Sequence, residues 1–112
     1  MDWNNLSEIK QLDQIDQESK TKLILILKHS TRCSISISAL DRIERSWKKS
    51  DLNNIKPYYL DLLTFRDISN SIANRYQVEH QSPQILLINN GICVFSRTHL
   101  EISYTDIINF KL

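Results

Sequence analysis

Residues 22–33 read KLILILKHSTRC. Five consecutive aliphatic residues stand between two lysines, so this segment is apolar on both of its faces. A strand of that kind belongs in the middle of a sheet that helices cover on each side. The polar residues from His29 to Arg32 are expected to form the turn at the carboxyl end of the strand. A helix is then predicted to begin near Cys33.

The rest of the chain alternates between helical and extended patterns. Apolar residues at helical spacing predict three core-facing stripes: Leu6, Ile9, Leu12 and Ile15; Ile37, Leu40, Ile43 and Trp47; and Ile68, Ile72 and Tyr76. Polar residues placed to cap a helix are Ser7 near the start of the first stripe, Thr64 before the third stripe and Thr105 at the start of a short terminal helix. A second strand is expected from Tyr58 to Leu63, opened by Pro57.

A hairpin is predicted around Asn89-Asn90-Gly91, since a tight turn needs residues that tolerate positive φ. Its strands are Ile85–Ile88 and Ile92–Phe95. The resulting order, α-β-α-β-α-β-β-α, describes a single α/β domain over residues 1–112. It predicts a thioredoxin-like fold, with a central mixed sheet of about four strands flanked by helices. An unrelated α/β sandwich would share the same order.

Bulk properties narrow the function classes. The chain has 112 residues, fitting one domain, and a formal net charge of +1, which argues against binding to nucleic acid or an anionic membrane surface. No secretory signal is evident at the N-terminus, so a cytoplasmic protein with reduced cysteines is expected. Its three histidines and two cysteines lack metal-ligand spacing, and its single glycine allows no phosphate loop. We therefore expect neither a metal nor a bound cofactor.

The candidate catalytic residue is Cys33. Sites in open α/β sheets form beyond the carboxyl ends of strands, where the next helix begins. Free backbone N–H groups and the helix dipole stabilise an anion at that position, and Arg32 adds a positive charge. The thiolate is the attacking species in disulfide exchange. The alternative is that Cys33 is a small buried residue of the core.

The window Cys33-Ser34-Ile35-Ser36 has the spacing of a Cys-x-x-Cys motif with serine in the second position. With no second thiol there, Cys33 would stay joined to its target until an outside thiol released it. Ser36 either donates a hydrogen bond to the thiolate or faces solvent. Leu27, six residues before Cys33, stands where thioredoxins carry a buried acid, which is consistent with monothiol chemistry.

Ser82-Pro83 precedes the third predicted strand and is a candidate substrate-binding element. A cis proline at this point would leave the backbone before it free to pair with an extended substrate.

Several ordered motifs resemble those of the YtxJ family of bacillithiol-system redox proteins, the monothiol bacilliredoxins. The motifs are residues 28–36, residues 80–84, Asn90-Gly91 and residues 96–103. The resemblance covers essentially the whole chain. It implies a thioredoxin fold, a cis Pro83, and removal of bacillithiol from S-bacillithiolated proteins through a mixed disulfide on Cys33. One departure is Ser34, where the family usually has proline.

The remaining site residues follow from position and resemblance. Residues expected to stabilise the thiolate or bind substrate are Thr31, Arg32, Ser34, Ser36, Ser82 and Pro83. Arg32 also suits a carboxylate of bacillithiol, the co-substrate thiol. Three histidines are assigned to the rim of the site or to bracing its loops: His29, His80 and His99.

Two other functions remain open from the sequence. One is a non-catalytic thioredoxin-fold module that only binds protein partners. The other is a two-cysteine disulfide reductase in which Cys93 resolves the disulfide formed by Cys33. The strand context of Cys93 favours a buried small hydrophobe instead.

Overall fold

The structure, a computed structural model, describes residues 1–111. Within this range the chain forms five strands: β1 (Asn4–Asn5), β2 (Leu23–His29), β3 (Ile55–Asp61), β4 (Gln84–Asn89) and β5 (Ile92–Thr98). It forms four α-helices: α1 (Gln11–Glu18), α2 (Ser34–Ser46), α3 (Arg66–Tyr76) and α4 (Tyr104–Ile108). Short 3-10 helices occupy Lys49–Asn53 and His99–Glu101.

The strands make one mixed sheet in the order β1-β3-β2-β4-β5. β2 is central, as its apolar sequence predicts, with β3 parallel on one side and β4 antiparallel on the other. The sheet has five strands instead of about four. The additional strand, Asn4–Asn5, pairs in parallel with Tyr58 and Tyr59. Two residues give no alternating side-chain pattern, so this strand leaves no trace in the sequence.

Helices cover both faces of the sheet and create two cores. Buried residues of α1 and α3 pack on one face against alternate residues of β2: Leu12, Ile15, Ile68, Ile72, Tyr76, Ile24 and Ile26. Buried residues of α2 and α4 pack on the other face: Ala39, Ile43, Ile107, Leu25 and Leu27. Among the helices of residues 1–111, none is long and apolar enough to cross a membrane.

The predicted hairpin is confirmed. Asn90 and Gly91 have φ of 51° and 73°, the positive values that the turn requires. The amide of Asn90 donates to the carbonyl oxygen of Ser19, and the amide of Gly91 donates to the Ser19 hydroxyl, both at 2.9 Å. The end of α1 therefore holds the hairpin in place.

The cap predicted at Ser7 is wrong. Helix α1 begins only at Gln11, whose side-chain oxygen accepts hydrogen bonds from the amides of Ser7 and Glu8 at 2.8 and 2.9 Å. The glutamine thus satisfies these amides from inside the helix. Because residues before Gln11 are not helical, the helical stripe does not extend to Ile9, which is 43% exposed.

The other two predicted caps are also wrong. Thr64 donates its hydroxyl to the Asp61 carboxylate at 3.0 Å, and α3 begins two residues later without a side-chain cap. In α4 the cap is Ser103, whose hydroxyl accepts from the amide of Asp106 at 3.4 Å. Thr105 lies inside that helix.

Two further details differ from the sequence expectations. Ile37 is 50% exposed, because the buried face of α2 is formed by Ser36, Ala39 and Ile43. Strand β3 begins at Ile55, so Pro57 lies within the strand and does not open it.

Candidate functional site

Cys33 lies at the edge of the sheet where the parallel strands end. In the register of β2 and β3, His29 is paired with Asp61. The amide of Leu62 extends this pairing by donating to the carbonyl oxygen of His29 at 3.1 Å. The turns that follow the two strands are therefore neighbours, and residues 30–33 form the first of them.

The backbone of Cys33 is the N-cap of α2. Its φ of −109° and ψ of 120° are extended, and no side chain caps the helix at this end. The Cys33 amide donates to the carbonyl oxygen of Ser30 at 3.2 Å, and its carbonyl accepts from Ile37 at 3.0 Å. Cys33 is half-buried, and it stands at a helix start whose first-turn amides have no partner within the helix. Such amides stabilise an anion.

The residues next to Cys33 are open to solvent. Thr31, Arg32 and Ser34 are all exposed. Ser34 is the first residue of α2. This is the helical position at which proline is best tolerated, so it can accept proline as well as the serine present here.

Ser36 occupies neither of the two predicted environments. Its side chain is fully buried, and its hydroxyl oxygen accepts from the amide of Ser30 at 3.0 Å. The same oxygen lies 2.6 Å from Nδ1 of His29. Burial lowers the pKa of His29, although Asp61 opposes the shift. Nδ1 of a neutral imidazole can accept a hydrogen bond from the Ser36 hydroxyl. Ser36 therefore links His29, at the end of β2, to Ser30, in the turn that carries Cys33.

The three histidines occupy different environments. His29 is only 3% exposed and packs against the Tyr59 ring with 5.6 Å between centroids, so it does not belong to an exposed rim. His80 is exposed, with Nδ1 3.2 Å from the hydroxyl of Ser69. The backbone amide of His99 donates to the carbonyl oxygen of Pro83 at 3.0 Å, and this hydrogen bond joins His99 to the loop that contains Pro83.

A buried lysine beside the site was missed by sequence reasoning. The Nζ of Lys28 donates to the Ser69 carbonyl oxygen at 3.0 Å and lies 3.3 Å from Nδ1 of His80. Burial lowers the pKa of Lys28 to about 8. Lys28 directly follows the aliphatic run, and a lysine side chain is usually exposed to solvent. The available signal was that a central strand extending to His29 must bury this position on a helix-covered face.

Pro83 is brought to the same edge of the sheet as Cys33. The Ser82–Pro83 peptide bond is cis, as predicted. Lys28 is paired with Gln84 in the antiparallel register, so Pro83 lies beside the end of β2. The Ser82 hydroxyl is buried and has no hydrogen-bond partner within residues 1–111.

Cys93 lies at the other end of the sheet. It is paired with Ile88, which is paired with Ile24 near the start of β2, whereas Cys33 follows the end of that strand. Five residues along β2 and two strand spacings separate the thiols by roughly 15–20 Å. A disulfide requires Cα atoms within about 7 Å, so the fold does not allow these two cysteines to pair.

No metal centre accompanies the thiol in the part of the chain that the structure describes. Within residues 1–111, no three histidine, cysteine, aspartate or glutamate side chains are grouped closely enough to hold a metal ion.

Comparisons with known proteins agree with this architecture. The sequence matches the family model of the monothiol bacilliredoxin BrxC over residues 4–107. A solved structure described as a candidate oxidoreductase with a thioredoxin fold is 35% identical, with a TM-score of 0.79, covering 92% of this chain and 88% of that one. A thioredoxin from Fasciola hepatica is 17% identical, with a TM-score of 0.67 and coverages of 93% and 91%. One from Malassezia sympodialis is 15% identical, with a TM-score of 0.73 and coverages of 95% and 84%. The thioredoxin fold predicted from the sequence is confirmed.

Proposed function

Because this chain belongs to the monothiol bacilliredoxin BrxC family, we propose that it removes bacillithiol from S-bacillithiolated proteins through Cys33. Family and fold together support a thiol redox role. The observation that carries the finer proposal is the surroundings of Cys33. Cys33 is half-buried at a helix start that has no side-chain cap. Ser36 stands in the place of a second cysteine, and its hydroxyl is hydrogen-bonded to His29 and Ser30.

The first step is an exchange of one disulfide for another. The Cys33 thiolate attacks the bacillithiol sulfur of the mixed disulfide on the target protein. A new bond forms between Cys33 and that sulfur, the old disulfide bond breaks, and the target cysteine leaves as a thiolate that takes a proton from solvent. The target is reduced and Cys33 is oxidised.

The second step needs a thiol from outside the protein. Ser36 cannot attack the new disulfide, and Cys93 is at the far end of the sheet. The thiolate of a second bacillithiol molecule attacks the bacillithiol sulfur bound to Cys33. A bond forms between the two bacillithiol sulfurs and the bond to Cys33 breaks, which releases the Cys33 thiolate and bacillithiol disulfide. Bacillithiol thus serves as co-substrate, and no bound cofactor takes part.

The neighbouring residues have supporting roles in this proposal. Arg32 and the amides at the start of α2 stabilise the Cys33 thiolate. Thr31 and Ser34 flank it on the exposed turn. Ser82 and Pro83 hold the backbone of the target, since proline has no N–H and leaves the extended segment before it free to pair. We place the reaction in the cytoplasm, where thiols are kept reduced.

The test is intact mass after incubation with a bacillithiol-modified protein. Wild type and Cys93→Ser are expected to gain one bacillithiol each, and Cys33→Ser none. Wild type and Cys93→Ser should also release the target in its reduced form. Absence of transfer by every variant would refute the exchange reaction and favour a module that only binds protein partners.

A further inference from the structure

A cleft opens between the two turns that follow β2 and β3. Its volume is about 350 Å³, and it is lined by Thr31, Arg32, Asp61, Leu63, Thr64 and Arg66. Small-molecule sites commonly enclose roughly 300–1,000 Å³. Two of the lining residues, Thr31 and Arg32, directly precede Cys33 in the chain, so the cleft adjoins the turn that carries the nucleophile.

The cleft presents two guanidinium groups without carboxylate partners. Arg32 and Arg66 are both exposed, and neither takes part in a salt bridge within residues 1–111. The acidic residue of the lining, Asp61, accepts from the amide and hydroxyl of Thr64 at 3.4 and 3.0 Å. The carboxylate is therefore held by its own turn, and the guanidinium donors remain available for an anion.

Positive charge continues beneath the cleft. Arg66 also lines a smaller recess with His80, whose pKa is lowered by burial and further by the charges of Lys28 and Arg66. Lys28 has its ammonium group buried next to the His80 ring. The start of α3, also at Arg66, adds the positive end of a helix dipole. The cleft lining therefore has two guanidinium groups and one carboxylate, and a third cation, Lys28, lies beside His80 of the neighbouring recess.

We infer that this cleft binds the carboxylate-bearing part of the low-molecular-weight thiol, with Arg32 and Arg66 as its recognition residues. This inference rests on the proposed function. It identifies the negative charge of the thiol as the property by which the cleft distinguishes it from a neutral thiol. Guanidinium groups pair with carboxylates through charge-assisted and often bidentate hydrogen bonds. Bacillithiol carries carboxylates, whereas a small neutral thiol does not.

The kinetic test compares two mixed disulfides of one reporter peptide, one with bacillithiol and one with neutral 2-mercaptoethanol. Arg66→Gln is expected to slow release of bacillithiol roughly 5- to 20-fold, as for the loss of one charge-assisted contact. Release of 2-mercaptoethanol should change less than about twofold, since that thiol cannot use the contact. The matched control is Arg45→Gln, which removes the same charge from the far end of α2 and should alter neither rate.

Equal slowing of both peptides, or of neither, by Arg66→Gln would overturn the inference while leaving exchange through Cys33 intact. Absence of release from both peptides by wild type would instead contradict the proposed function. If wild type releases neither thiol, a binding measurement tests the inference independently of the exchange reaction. S-methyl bacillithiol, which cannot exchange, should shift the NMR amide signals of Thr31, Arg32 and Arg66, and its methyl ester should not. No shift with the carboxylate form would overturn the cleft assignment.

Discussion

Replacing Ser36 by alanine tests the arrangement that holds the turn of Cys33. The hydroxyl has two buried partners, the amide of Ser30 at 3.0 Å and Nδ1 of His29 at 2.6 Å. Alanine removes the acceptor of the first and the donor to the second. Ser36 is fully buried and both partners are largely so, which leaves little access for water to replace the hydroxyl.

The expected loss of stability comes from the two buried groups that no longer have a hydrogen-bond partner. A buried donor or acceptor that loses its partner costs about 1–3 kcal/mol. Because the two groups share one site, the losses are not fully additive. We expect Ser36→Ala to lower the free energy of unfolding by roughly 2–4 kcal/mol, which moves a urea midpoint by about 1–2 M.

Equilibrium unfolding in urea, followed by circular dichroism, measures this effect. The matched control is Ser34→Ala, an exposed serine on the same helical turn, which should change the unfolding free energy by less than about 0.5 kcal/mol. A loss for Ser36→Ala no larger than that of the control would refute the role assigned to this hydroxyl.

Three other predictions concern Lys28, the cap of α4 and the pairing of the two cysteines. Burial lowers the pKa of Lys28 from 10.5 to about 8, so the unfolded state binds more protons between these values and wild-type stability should rise with pH. Wild type should gain roughly 3 kcal/mol relative to Lys28→Met between pH 7.5 and 10.5 in urea titrations, and a constant difference would contradict a charged, buried amine. Ser103→Ala should lower the unfolding free energy by about 1 kcal/mol through loss of the α4 cap, while Thr105→Ala should cost clearly less; the reverse order would restore Thr105 as the cap. Mild oxidation of the purified protein should produce no disulfide between Cys33 and Cys93, and peptide mapping that finds one would contradict the sheet register.

The main architecture was predictable because a few segments have only one physical solution. Residues 23–27 are apolar on both faces and belong in the centre of a covered sheet. Asn90-Gly91 meets the positive φ values of a tight hairpin. Ile68, Ile72 and Tyr76 are all buried on one side of α3, as their spacing predicts. In each case, one local requirement allows few alternatives.

The capping errors arose where several polar groups compete for the same backbone atoms. Gln11, Asp61 and Ser103 each bind amides or hydroxyls near a residue that was expected to cap a helix. Sequence spacing identifies the candidates, but the path of the incoming turn decides between them.

The candidate site also has residues that the sequence predicts and residues that it does not. The position of Cys33 followed from the end of the central strand, which is a property of the sheet. The burial of Ser36 depends on how closely α2 approaches β2, and its partner, His29, stands seven residues earlier. Arg66 was not singled out at all, because its proximity to the turn of Arg32 is created by the parallel pairing of β2 with β3.

That pairing also separates two properties that evolution can change independently. Both guanidinium groups of the cleft are exposed and follow the strands, so substitutions there leave the core unaltered. Exposed substitutions of this kind usually change stability by less than about 0.5 kcal/mol. Under the proposed role of the cleft, its preference for one small thiol can therefore change without altering Cys33 or the sheet. Rewriting two short turns should be enough to retarget this scaffold to a thiol of different charge.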